Sequence, residues 1–242
     1  MNLRKMFLKV AGTFLVTITV AAYVGTTELP NKKLGKIELT EKNTVLLIGE
    51  VNSRSVAKVI ADIEAIKDSA KIVYLYIDSP GGEIMSGLEL ITYLKGLNNV
   101  ETITKFAASM ASAIVEHNKG KRYILSNGVL MFHRAAGGVS GQFEDGELES
   151  RLALWKKIVR GMEKVNAERM KLTLEEYKKL VVNEYWIYGE ESIDKNASDA
   201  LVSISCSEGL KKATHEITVL SIFGEQSYKI SKCPLLKLPI KE

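Results

Sequence analysis

Residues 71–78 read Lys-Ile-Val-Tyr-Leu-Tyr-Ile-Asp, a near-continuous run of β-formers that stops at Ser79-Pro80-Gly81-Gly82. A strand with one wet face alternates polar and apolar residues; one without that alternation is covered on both faces, as in a parallel sheet flanked by helices. The spacing changes at once beyond the glycines. Met85, Leu88, Leu90, Ile91 and Leu94 recur at helical intervals, which predicts a helix over Glu83–Gly96. Buried strand, tight turn and helix form the unit from which layered α/β folds are built.

The same alternation extends in both directions. Strands are predicted at Asn43–Ile48 and Val100–Lys105, with helices at Ser53–Lys67 and Ser109–His117. Two further strands, Arg122–Ser126 and Val129–His133, flank an Asn127-Gly128 turn. The longest helical stretch runs from Glu147 to about Lys171, through Leu152, Leu154, Trp155, Ile158, Val159, Met162 and Val165. Thr173–Val182 continues as helix, opened by Thr173-Leu-Glu-Glu176 at capping-box spacing. After about Ser203 the pattern becomes β-like, at Glu216–Leu220 and Tyr228–Ser231. This divides the chain into a terminal segment 1–24, a polar linker 25–42, an α/β domain 43–204 and a C-terminal extension 205–242.

The first segment resembles a targeting signal. Arg4, Lys5 and Lys9 lead into an apolar stretch, Val10–Val24, shorter than the roughly 20 residues that span a bilayer comfortably. Val20-Ala21-Ala22 offers small residues at a cleavage position. Removal at that point and retention as a membrane anchor both remain open, and either predicts an exported, periplasmic or extracytoplasmic body. Residues 1–22 hold three cations and no acid, so without them the net charge of +4 falls to +1. That near-neutral body lacks the basic stripe a nucleic-acid partner requires. Cys206 and Cys233, an even pair in an exported chain, predict one disulfide closing the C-terminal extension. No Cys-His cluster at metal-ligand spacing occurs, and no cofactor is expected.

Three segments carry candidate chemistry. Ser109, in Phe-Ala-Ala-Ser-Met-Ala, opens a predicted helix, where free backbone N–H groups and the macrodipole favour negative charge. A serine hydroxyl attacks well only when a neighbouring base removes its proton. His133 ends a predicted strand and has the ordinary pKa range of such a base. Gly81-Gly82 can present backbone N–H groups unobstructed to a developing oxyanion. Singly, each has a plainer explanation: a small serine starting a buried helix, a histidine at the core edge, a strand-to-helix turn. Their conjunction at strand ends is what points to acyl transfer.

With those residues in view, the chain resembles the Clp-type serine peptidases of the ClpP/crotonase superfamily. The matching stretches are Tyr-Leu-Tyr-Ile-Asp-Ser-Pro-Gly-Gly (74–82), Ala-Ala-Ser-Met (107–110) and Met-Phe-His-Arg-Ala-Ala-Gly-Gly-Val-Ser-Gly-Gln (131–142), with a weaker one at 184–192. The resemblance implies a spiral of ββα units with a long handle helix, and covers about residues 43–202. It implies Ser109 as nucleophile, His133 as base, and the N–H groups of Gly82 and Met110 as oxyanion hole. It further implies peptide binding at Gly81 and along Gly137–Gln142, with Gly137 and Gly138 on the bound strand, and helix 147–171 as the handle of a homo-oligomeric ring. Setting the family's aromatic on Trp186 puts Glu184 in the triad acid's position, where family members carry Asp; a one-residue slip would put Asn183 there.

The substrate so implied is a peptide or unfolded polypeptide, hydrolysed without the ATP-driven unfoldase of cytosolic relatives because an exported chain has no ATP. Three other readings stand beside it. A signal-peptide-peptidase-like enzyme of the same superfamily would use a Ser-Lys dyad, its base Lys119 or Lys121. A crotonase-type acyl-CoA enzyme would share the oxyanion hole without a nucleophilic serine. An inactive scaffold of the same fold would bind peptide or assemble rings.

Overall fold

The computed structural model describes residues 34–137, 144, 146–221 and 224–236. The expected targeting segment 1–24, Gly138 and the rest of the 138–142 strand lie outside the described residues. Among the described residues nine strands and seven helices follow in order: β1 (Gly35–Leu39), β2 (Thr44–Ile48), α1 (Ser53–Glu64), β3 (Val73–Ser79), α2 (Ile84–Lys95), β4 (Val100–Ala108), α3 (Met110–His117), β5 (Arg122–Phe132), α4 (Glu147–Arg169), α5 (Leu174–Leu180), β6 (Tyr185–Tyr188), α6 (Glu191–Asp194), β7 (Ala200–Cys206), α7 (Glu208–Lys212), β8 (Thr214–Ser221) and β9 (Gly224–Ser231). Seven strands form a mostly parallel sheet in the order β1-β7-β5-β4-β3-β2, with β6 antiparallel on β5. Among the described residues no helix is long and apolar enough to cross a membrane.

The strand from which the sequence reading began is buried as its composition demands: Val73, Leu75, Tyr76 and Ile77 are all buried. One face meets α1, α2 and α3 through Val56, Val59, Ile63, Leu90, Leu94 and Ile114; Tyr76 belongs to a smaller cluster on the other face with Leu39, Ile103 and Val202. Burying a residue of this size stabilises the fold by about 1.5–3 kcal/mol, so the central strands anchor the site that hangs from their ends. Both capping boxes close, at Asn52/Ser55 before α1 and at Thr173/Glu176 before α5.

Two expectations are corrected. The linker expected over 25–42 contains β1, which pairs in parallel with β7 and buries Leu39; the charged Lys36 and Glu38 alternate with its apolar Ile37 and Leu39 and disguise an edge strand as a polar segment. Asn127-Gly128 is no turn. β5 runs straight through it, because β4 pairs with the chain on both sides: Thr104 sits opposite Ile124 and Phe106 opposite Val129. The surplus residues let β5 change its other neighbour, from β7 at Tyr123–Leu125 to β6 at Val129–Phe132. The long helix expected over 147–171 is α4; Leu148, Leu152 and Leu154 near its N-terminal end are exposed, and its buried residues are Asn166 and Ala167.

The C-terminal extension is the antiparallel hairpin β8–β9. The disulfide expected between Cys206 and Cys233 is present with a Cα–Cα separation of 5.9 Å, and joins the second residue after the hairpin to the last residue of β7. Both cysteines are buried beside Leu39 and Leu210.

Candidate active site

β4 ends at Ala108 and α3 starts at Met110, leaving Ser109 alone to reverse the chain. Its backbone holds φ 56° and ψ −120°, a conformation L-residues avoid at a cost on the order of 1–3 kcal/mol. Several bonds over-determine it. The Ser109 N–H donates to the Met131 carbonyl at 2.9 Å, and the Ser109 carbonyl accepts from Ala113 N–H at 3.3 Å. The Ser112 hydroxyl bridges the carbonyls of Ser109 and Met131, at 2.7 and 2.8 Å. The strain lifts the Ser109 hydroxyl off the end of the sheet.

His133 follows the last residue of β5, and its Nε2 lies 2.7 Å from Ser109 Oγ. With the ring proton on Nδ1, Nε2 accepts the serine hydroxyl, the arrangement a general base needs before attack. Neither Gly82 N–H nor Met110 N–H has a hydrogen-bond partner among the described residues, and both residues line one cleft with Ser109 and His133. Met110 begins α3, so its free N–H is the ordinary orphan of a helix start. Gly82 is held by Val51, whose N–H donates to Gly81 O and whose carbonyl accepts from Glu83 N–H, both at 2.8 Å. At Gly82 φ is +149° and a Cβ would collide with the Val51 carbonyl oxygen.

The Gly81 N–H donates to Ser79 Oγ at 3.1 Å and its carbonyl accepts from Val51. A Cβ there would stand 2.5 Å from Ala108 O and 2.7 Å from Ser109 Cβ, so Gly81 lets the turn pack behind the nucleophile. Gly137 is exposed and abuts the Trp155 ring of α4.

The third member of the expected triad is not hydrogen-bonded to the histidine. Glu184 Oε2 accepts from Trp186 Nε1 at 3.0 Å, and among the described residues nothing bonds to His133 Nδ1. The β5–β6 ladder ends with Phe132 opposite Tyr185, one residue before His133 and one residue after Glu184. Glu184, His133 and Trp186 border one groove. Lys119 and Lys121, the bases of a Ser-Lys reading, are exposed beyond the far end of α3, about 12 Å of helix from Ser109.

Residues not expected from the sequence complete the surroundings. Ser112 and Val51 fix the nucleophile and the glycine turn, and Glu163, Asn166 and Tyr177 line the cleft. Asn166 stands one helical turn after Met162, a polar residue on the buried side of α4; that placement was its signal in the sequence. The far end of α3 is a buried electrostatic knot. Glu116 pairs with Arg122, which also bonds Asp199 at 2.7 Å. Burial pushes Glu116 up to about 8, against the pull of Arg122, and pushes His117 down to about 4, against its bond to the Ala113 carbonyl.

Comparison with known proteins agrees with this arrangement. A family model described as Clp protease matches residues 33–202. Proteins named ATP-dependent Clp protease proteolytic subunit, from Streptococcus pyogenes serotype M5 (strain Manfredo), serotype M49 (strain NZ131) and Streptococcus equi subsp. equi (strain 4047), are each 29% identical over 160 residues. The alignment covers 64% of this chain and 82% of each relative.

Proposed function

The chain belongs to the Clp protease family and is a peptidase of that family, and on that premise we propose that it is a serine endopeptidase working through an acyl-enzyme on Ser109. The observation that carries the reading is the 2.7 Å approach of His133 Nε2 to Ser109 Oγ, beside two N–H groups free to receive an oxyanion. His133 takes the hydroxyl proton as Oγ attacks the scissile carbonyl. The N–H groups of Gly82 and Met110 hold the negative oxygen of the tetrahedral intermediate. The imidazolium then gives its proton to the leaving amine, and water repeats the sequence on the ester to release the acid.

Glu184 is the third member in this proposal. It serves once its carboxylate leaves Trp186 Nε1 and turns to His133 Nδ1, where it would stabilise the imidazolium. Peptide lies extended along the segment that Gly137 and Gly138 begin, adding a strand by main-chain bonding. The substrates are peptides or unfolded polypeptides. The basic and apolar start of the chain supports export to a periplasmic or extracytoplasmic site, as a cleaved signal or an anchor. The curated relatives are ATP-dependent by name; an exported chain meets no ATP, so hydrolysis here is ATP-independent. The exposed Leu148, Leu152 and Leu154 of α4 support assembly into a homo-oligomeric ring.

A fluorophosphonate probe tests the reading on the purified exported form. Labelling is expected at Ser109 in wild type and absent in Ser109→Ala. His133→Ala is expected to lower peptide turnover by about 10³-fold or more. Full activity in His133→Ala would overturn the proposal in favour of another base, and intact oligomers without labelling or turnover would leave an inactive scaffold.

A further inference from the structure

β2 is the last strand of the seven-stranded sheet and pairs only with β3 among the described residues. Bonds from Tyr74 N–H to the Asn43 carbonyl and from Gly49 N–H to the Asp78 carbonyl fix its phase. Residues 43, 45, 47 and 49 turn their main-chain groups to β3, so Thr44, Leu46 and Ile48 turn theirs outward. None of these outward groups has a partner among the described residues. An open edge is a template for another strand, and folded proteins ordinarily cover or block it. Here it forms the floor of a groove. α1 walls the groove on the side of Val45 and Leu47, and Leu210 and His215 of the C-terminal extension wall it on the side of Leu46. Flanked in this way, the edge is closed to the sheet edge of a second folded copy and open to one extended chain. On the α1 rim Lys58 pairs with Asp62, and on the other rim Glu216 and Lys232 carry opposite charges, so neither sign is favoured. What remains for recognition is main chain. The groove also ends beside the chemistry. Three residues beyond Ile48, Val51 holds the turn on both sides of Gly82. Because β2, β3 and β4 are parallel, Ile48 and Ser109 lie at the same end of the sheet, two strands or about 10 Å apart.

We propose that this groove is a docking site for extended polypeptide outside the catalytic cleft, where one stretch of an unfolded substrate adds as a strand to β2 while another is cut at Ser109. The docked main chain bonds to the outward groups of Thr44, Leu46 and Ile48, and its side chains project alternately towards α1 and the hairpin. Conformation and length, rather than sequence, set the class of partner: unfolded chains that reach both places dock, whereas folded domains and short peptides do not. The inference rests on the peptidase reading of Ser109.

The test compares two substrates of the full chain, a short peptide that fills the catalytic cleft alone and reduced, carboxymethylated lactalbumin as a long unfolded one. Leu46→Pro deletes an outward N–H without touching the ladder to β3, the position in a sheet where proline is tolerated. Ala65→Trp, at an exposed position on the α1 wall, fills the groove. Each is expected to raise KM for lactalbumin by about tenfold, the worth of one or two main-chain bonds, with kcat and short-peptide turnover unchanged. Fluorescence anisotropy of labelled lactalbumin on Ser109→Ala should show the same weakening when Ala65→Trp is added. Unchanged KM and affinity overturn the docking site and leave the peptidase reading intact. An equal loss on both substrates also overturns it, by placing the effect at Val51 and Gly82. A change of oligomeric state in Ala65→Trp, read by light scattering, gives the groove to a second copy and overturns it as well. If wild type turns over neither substrate the peptidase reading falls, and the anisotropy decides the groove by itself. Should Leu46→Pro not fold, Ala65→Trp decides alone.

Discussion

On the Nε2 side of His133 every group is fixed by main chain, whereas on the Nδ1 side the candidate acid hangs from an exposed strand end. Ser109 is locked by bonds to Met131, Ala113 and Ser112, Met110 by its place at the start of α3, and Gly82 by Val51. Glu184 is exposed and its carboxylate is shared with an indole that is itself half exposed. The difference teaches where this site is set and where it is adjustable. Attack and oxyanion stabilisation are built into the fold, while the support of the imidazolium depends on which of two partners one surface side chain chooses.

The largest expected effect breaks the fixed side. Gly82→Ala forces a Cβ onto the Val51 carbonyl in a backbone conformation only glycine holds comfortably, and displaces an oxyanion donor. A loss of about 100-fold in kcat is expected from steady-state kinetics. A variant of wild-type activity would mean that Gly82 N–H is not used. The adjustable side should respond less. Glu184→Gln is expected to lower kcat by about tenfold with KM little changed, since the Nε2 machinery remains whole; an unchanged kcat would remove Glu184 from the reaction.

Trp186→Phe sharpens the same point from the opposite direction. It keeps an aromatic ring near Phe106 but deletes the N–H that holds Glu184, so kcat should rise by roughly threefold, the worth of a weak hydrogen bond. A fall would show that the indole positions the acid rather than competing for it.

A second carboxylate, Glu116, gives the contrast its buried counterpart, and its variant should leave turnover near wild type. Its folded pKa stands above the ordinary carboxylate value, so its contribution to stability is full at low pH and is lost as pH rises towards about 8. His117 runs the other way: held near 4, it favours the folded state above its ordinary range and loses that contribution as pH falls. The two oppose each other between about pH 4.5 and 6.5. From about pH 6.5 to 8 Glu116 acts alone, and denaturant titration should find about 2 kcal/mol lost in wild type but not in Glu116→Gln. Equal slopes in both proteins would place the titration elsewhere.

Much of this was legible in the sequence, for physical reasons that differ by residue. The buried strand could be found from its unbroken run of β-formers, the glycine turn and Ser109 because each sits where a strand pattern gives way to a helical one, and His133 because it ends an apolar strand before a glycine-rich segment. Gly82 followed from a side-chain-free turn, and Met110 from the resemblance to the Clp-type peptidases. β1 was hidden because an edge strand with lysine and glutamate on alternate positions has the composition of a linker. Asn127-Gly128 misled because a turn dipeptide states only a local preference, and pairing with β4 on both sides overrides it. Asn166 and Glu163 were hidden within a helix whose apolar residues attracted the attention, although the exposed ones among them carry none of the core.

The irregularity in β5 has a mechanical consequence. Four residues of β5, from Leu125 to Gly128, pass a single residue of β4, Lys105. In a regular ladder, adding or removing one residue upstream would turn every later side chain to the opposite face, His133 included. Here the excess length works as slack between two separately clamped blocks, Tyr123–Leu125 with β7 and Val129–Phe132 with β6. A length change within that slack would be taken up locally, and the phase of the block carrying the histidine would stay tied to the serine.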